Sequence, residues 1–162
     1  MSKKILITGA TDGIGKQSAI ELARLGYHVI IHGRSDDSVS QAVQEIKKAS
    51  EHEDVKGYPA EFERLSQVKQ LADRIKADYH ELDILINNAG IFQKKRELTE
   101  DGFEKTFQIN YLAHFLLTNL LMDLLENAER ARVVNVSSMV HATAIDFNNL
   151  QGEQSFEGSS AY

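Results

Sequence analysis

Ile5-Leu6-Ile7-Thr8-Gly9-Ala10-Thr11-Asp12-Gly13-Ile14-Gly15 is the stretch that decides how this chain folds. The apolar run Ile5-Leu6-Ile7 reads as a buried strand and the residues after Gly15 carry a helical pattern, so three glycines stand where a strand turns into a helix. A side chain at Gly9, Gly13 or Gly15 would hold the backbone away from a pyrophosphate or the helix away from the sheet, while the N–H groups of the helix start offer donors to an anion. The loop that also carries Thr8, Asp12 and Ile14 therefore points to a nucleotide cofactor. Its spacing differs from Gly-x-Gly-x-x-Gly, and from the phosphate loop of kinases, which needs a glycine at Ala10 and Ser or Thr at Gln17. A glycine-rich turn without a ligand is the bland alternative.

Bulk properties narrow the function classes. The chain has 162 residues, 42% of them hydrophobic and 26% charged, enough for one globular domain with a sizeable core and too few for two. A net charge of −6 without long runs gives no footprint for nucleic acid or anionic membrane. The absence of cysteine removes disulfides, thiolate catalysis and cysteine metal sites. The first strand begins within a few residues of Met1, leaving no room for a signal peptide, and no run approaches a membrane span, so a cytoplasmic location is the expectation. The six histidines form no close ligand pair on a helix, and no metal is expected. Ser138, His141 and Asp146 lack the glycine frame of a nucleophile elbow and are not read as a triad.

Short β-branched runs alternate with longer segments of helical period, which predicts a parallel sheet covered on both faces. Strands are expected near Lys4 to Thr8, His28 to His32, Val55 to Pro59, Ile84 to Asn87 and Arg132 to Ser137. Val39, Ala42, Val43 and Ile46, and again Val68, Leu71, Ala72 and Ile75, repeat at helical spacing and read as core. The segment from Asp101 to about Asn127 is richer in Phe and Leu and is expected to be a long helix buried on more than one side. The fold class is thus α/β, a Rossmann-type doubly wound parallel sheet. After the second strand, Gly33 stands where NAD-preferring dehydrogenases place an acid, and Arg34 follows. A guanidinium fork can hold phosphate oxygens in two parallel charge-assisted bonds, which favours NADP(H) over NAD(H). Asp36 and Asp37 could instead pair with Arg34 or repel the phosphate.

The glycine loop at the chain start, Asn87-Asn88-Ala89-Gly90 after the fourth strand, Asn110 in the long helix and the strand ending in Ser137-Ser138 together resemble the short-chain dehydrogenase/reductase family, in family order and over essentially all of the chain. His114-Phe115-Leu116-Leu117-Thr118 and the long stretch from Ser138 to Tyr162, with Phe147 to Glu153, resemble its retinol-dehydrogenase-like branch. The resemblance implies an oxidoreductase moving a hydride between a nicotinamide and the carbonyl or alcohol carbon of a small organic substrate. It implies that Glu61 borders the adenine, that Asn87, Ala89 or Gly90 lines the cofactor, and that Asn110 orders a water in a proton relay; an amide bonded only to backbone is the alternative. It also implies that Ser138 donates a hydrogen bond to the substrate oxygen and that Tyr162 is the general acid/base. Shifting a phenol from ~10 to about 7 or 8 would take roughly 3 to 4 kcal/mol of preferential phenolate stabilisation. In the family a lysine four places on supplies positive charge, and this chain stops before it. The 162 residues therefore read as a single dinucleotide-binding domain incomplete at its C-terminus, a sheet truncated after the fifth strand. Such an edge is expected to aggregate, dimerise or swap, which puts a homo-oligomer beside the small-molecule substrate among expected partners. A non-catalytic NADP(H)-binding sensor or interaction module is the rival function, and an ATP-binding protein a weaker one.

Overall fold

The computed structural model describes residues 2–139 and 144–161. Its centre is a five-stranded sheet, every pairing parallel, with β1 (Lys4–Ile7), β2 (His28–Gly33), β3 (Val55–Pro59), β4 (Ile84–Asn87) and β5 (Arg132–Asn135) in the order β3-β2-β1-β4-β5. Ile5 lies opposite both Val29 and Ile84, and Asn87 opposite Asn135. The chain first builds outward from β1 through β2 to β3, then crosses back to lay β4 and β5 on the other side. That reversal opens a crevice at the carboxyl ends of β1 and β4, where ligands of open α/β sheets sit.

Side-chain alternation along the strands sorts the core into two layers. Ile5, Ile7, Val29 and Ile31 pack with Ala19 and Ala23 of α1 (Gly13–Arg24) and with Ala42 and Ile46 of α2 (Asp36–Ser50). Leu6, Ile30 and Leu85 face the opposite way, onto Val68, Leu71 and Ile75 of α3 (Leu65–Asp78) and onto Leu117 and Leu121. Asp12 caps the start of α1 and Ser35 that of α2. The start of α3 is served from a distance: Asp101 accepts the Leu65 N–H at 2.8 Å.

The expected long helix is four pieces: α4 (Lys105–Phe107), a π-helical turn over Gln108–Leu112, α5 (Ala113–Leu120) and α6 (Met122–Glu126). Glu104 accepts the Thr106 and Phe107 N–H groups, fixing the start, and in the π turn Ala113 N–H reaches Gln108 O, one residue further than an α-helical bond. One strip of the segment stays exposed. Ile109, Ala113, Leu117 and Leu121 are buried on one stripe, whereas Phe115 is 60% and Tyr111 54% exposed. Strand ends also shift: β1 stops at Ile7 rather than Thr8, β2 runs on to Gly33, and β5 stops at Asn135, so Ser137 and Ser138 lie in the loop beyond it. β5 forms the sheet edge, with Val133 and Val134 exposed. A short α7 (Gly158–Ala161) closes the described chain. Among the described residues no helix is long and apolar enough to cross a membrane, and no group of three or more His, Asp and Glu could hold a metal ion.

Candidate functional site

The three loop glycines are required for different reasons. Gly9 and Gly13 have φ of 63° and 56°, the left-handed region that side chains avoid. A Cβ on Gly9 would sit 2.7 Å from Ala89 Cα, so the first turn and the turn after β4 touch backbone to backbone. Around Gly13 a Cβ would meet nothing within 4 Å, and its requirement is conformational alone. Gly15 is buried in α1, where a Cβ would lie 2.6 Å from Gly9 O and would also strike the Asn88 amide. Asp12 caps the same helix, its Oδ1 accepting the Gly13 N–H at 2.7 Å.

The turn Asn88-Ala89-Gly90 is bound to the first loop through side chains. Asn88 Nδ2 donates to Thr8 O at 2.8 Å and Gly9 O at 3.0 Å, and the Thr8 hydroxyl oxygen accepts the N–H groups of Asn88 at 2.9 Å and Ala89 at 3.0 Å. One residue further, Ile91 N–H donates to Asn110 Oδ1 at 2.9 Å and Asn110 Nδ2 donates to Ile91 O at 3.0 Å. The Asn110 amide is thus engaged at both ends with the Ile91 backbone and braces the loop. Behind this turn, His114 Nε2 lies 3.1 Å from Thr8 Oγ1.

At the end of β2, His32 is fully enclosed between the first loop and β3. Gly9 N–H donates to His32 Nδ1 at 3.2 Å, which leaves the ring proton on Nε2, 2.9 Å from Ala60 O. Burial holds the imidazole neutral and lowers its pKa to about 4. Phe62 stacks on its face at a centroid distance of 4.2 Å. Gly33 is required by packing, since a Cβ would lie 2.9 Å from Val39 Cγ2 and would strike the Thr11 side chain. An acid there would have to displace the Thr11 and Val39 side chains. Arg34 then projects to the surface, exposed, and makes no hydrogen bond or ion pair among the described residues; Asp36 and Asp37 do not pair with it.

Two cavities meet over these loops. One of about 620 Å³ gathers Gly9, Asp12, Gly13, Ile14, Gly15, Arg34, Glu61, Ala89 and Gly90, with His32 and Phe62. A second, of about 550 Å³, shares Ile14, Ala89 and Gly90 and continues past Asn110 to Ser137 and Ser138. Nearly every expected binding residue is thereby brought onto one crevice, with Ser138 at its far end. Glu61 lines it while pairing with Arg64 at 3.3 Å. Thr8 acts behind the wall, through the bonds above. Asn87 is not brought there: its buried amide donates to Asn135 Oδ1 at 2.8 Å and Thr118 Oγ1 at 3.2 Å, in a groove between β5 and α5. Tyr162 lies outside the described residues. Sequence reasoning missed His32 and His114 as site residues. The signal for His114 was available: it falls four residues after Asn110 on the stripe that carries Ala113 and Leu117, a polar ring where a core residue was due.

The pattern of the short chain dehydrogenase family matches residues 3–148. The chain is 40% identical to polyprenol dehydrogenase from Homo sapiens, over 97% of this chain and 49% of that protein, and 38% identical to retinol dehydrogenase 13 from Homo sapiens, over 99% and 49%. It spans about half the length of these relatives. Among solved structures, a protein from Mycobacterium paratuberculosis superposes with a TM-score of 0.82 at 35% identity, covering 99% of this chain and 56% of that one. A short chain dehydrogenase from Escherichia coli CFT073 complexed with NADPH superposes with a TM-score of 0.74 at 27% identity, covering 99% and 64%.

Proposed function

Because the chain belongs to the short-chain dehydrogenase family, we propose that it binds NADP(H) in the crevice over β1 and β4, as the cofactor-binding part of an oxidoreductase that interconverts a small alcohol and its carbonyl compound. The observation that carries the reading is the 620 Å³ cavity in which a glycine-rich loop, the Ala89-Gly90 turn and an uncommitted guanidinium face one another. The residues fit the group. Bare backbone at Gly9, Gly13 and Gly15 with the amides opening α1 suits a diphosphate, Arg34 suits a phosphoryl group on the adenosine ribose, and Glu61 with Phe62 borders the adenine end. The NADPH-bound relative supports the cofactor class, and relatives named for polyprenol and retinol support an alcohol or its carbonyl compound as substrate.

When bound, the dinucleotide supplies or accepts a hydride at its nicotinamide ring. Ser138, at the end of the crevice, donates a hydrogen bond to the substrate oxygen and keeps its proton, and the Tyr162 phenol exchanges the one proton with that oxygen. Asn110 keeps the loop wall in place through Ile91. The test is steady-state NADPH oxidation with a panel of carbonyl compounds, on the protein and its Tyr162→Phe variant, with NADPH binding measured in parallel. Turnover by the parent and its loss in the variant are expected. Equal inactivity of both with NADPH still bound would contradict the enzyme reading and leave a cofactor-binding module.

A further inference from the structure

Three polar side chains at spacings of four, Asn110, His114 and Thr118, line one face of the segment from the π turn into α5, and between them they reach the end of β4, the turn after it and the loop after β1. Asn110 holds Ile91, Thr118 accepts from Asn87, and His114 meets Thr8, whose hydroxyl holds Asn88 and Ala89. The partners of Thr8 and His114 fix where each proton lies. Thr8 Oγ1 already accepts two N–H groups, so its own proton must be donated, to His114 Nε2 at 3.1 Å or to Ile86 O at 3.4 Å. His114 Nδ1 faces Asn110 O at 3.1 Å, and a carbonyl only accepts, so Nδ1 carries the ring hydrogen and Nε2 is bare. We propose that His114 is a positioning residue of the cofactor site: its bare Nε2 takes the Thr8 hydroxyl proton, which aims the Thr8 oxygen at the Asn88 and Ala89 N–H groups and so sets the turn that touches Gly9.

This is a bond of defined polarity, not mere filling of space. With the acceptor gone, the Thr8 hydroxyl can donate only to Ile86 O, and turning toward it carries the oxygen's accepting side away from the turn. His114 is buried and its pKa is lowered by that burial, which keeps the ring neutral and the single-proton assignment valid. His32, on the other side of Phe62, has the opposite assignment, with Nδ1 accepting and Nε2–H donating. The two buried histidines are thus expected to be complementary tautomers in one molecule.

The inference rests on the NADP(H) reading, and its tests separate the two. In the wild-type protein, long-range nitrogen–proton NMR should show His114 protonated on Nδ1 and His32 on Nε2; a His114 ring protonated on Nε2 would overturn the proposal whatever the variants do. His114→Phe keeps a ring but no acceptor, and NADPH binding should weaken about tenfold, the loss of one buried hydrogen bond, while His114→Gln, which restores an acceptor, should stay within about twofold of the parent. In a Thr8→Val background, His114→Phe should add less than about twofold, because the hydroxyl it serves is already gone. Wild-type binding with an unweakened His114→Phe overturns this inference alone. A wild-type protein that binds neither NADPH nor NADH overturns the parent reading and this one with it.

Discussion

Gly9 and Ala89 are in backbone contact: a methyl group on the first would stand 2.7 Å from the Cα of the second. The loop after β1 and the turn after β4 therefore form one wall, and neither can move outward independently. Gly9→Ala must both open this contact and hold φ near 63° with a side chain. A loss of about 1–3 kcal/mol in urea unfolding, together with loss of NADPH binding, is expected. Unchanged binding in a folded Gly9→Ala protein would mean that the wall is not part of the cofactor site.

Arg34 is the only charged group at the crevice's adenosine end without a partner among the described residues; Glu61 is tied to Arg64, which is tied in turn to Glu100. Arg34→Leu should weaken NADPH binding by about ten- to a hundredfold, the worth of a charge-assisted pair, and leave NADH binding nearly as it was. Calorimetric titration of both nucleotides checks this, and equal losses for the two would reject Arg34 as the discriminating residue.

Asp12 puts a carboxylate on the helix start that a diphosphate would approach, already accepting the Gly13 N–H. Asparagine caps a helix as well as aspartate does. Asp12→Asn should therefore keep the thermal midpoint and tighten NADPH binding by about two- to fivefold as a like charge is removed. Weaker binding would show that the carboxylate serves the site in another way.

Stability should fall between neutral and mildly acidic pH. His32 has a folded pKa of about 4 against about 6.5 unfolded, so the unfolded chain takes up the proton first as pH falls. The stabilisation is complete above about pH 6.5, declines toward pH 4, and amounts to about 2 kcal/mol lost at pH 5. His114, also lowered by burial, acts in the same direction. Urea midpoints at pH 8 and pH 5 test this; equal midpoints would mean that neither imidazole is held neutral.

The sheet and the glycine loop at its centre were legible because their signals are local. Ile5-Leu6-Ile7 alternates between two cores, and the glycines at 9, 13 and 15 mark a turn whose shape is set by backbone conformation and close approach. The pieces that escaped are long-range. No local pattern says that Asp101 will cap α3 or that the Asp101–Asn127 stretch will break around a π turn. Nor does Asn87, read beside Ala89, announce that its amide turns away to Asn135 on β5. His32 looked like an alternating strand residue because its partners, Gly9 and Ala60, are supplied by the turns of two other strands.

The central claim is that backbone amides around Gly9 to Gly15 hold a diphosphate while Arg34 selects the additional phosphoryl group. Titrating the wild-type protein with NADPH and with NADH under identical salt tests it most directly. Both should bind, NADPH at least about tenfold more tightly, as expected for a single guanidinium–phosphate pair. Binding of neither, or equal affinity for the two, would contradict it.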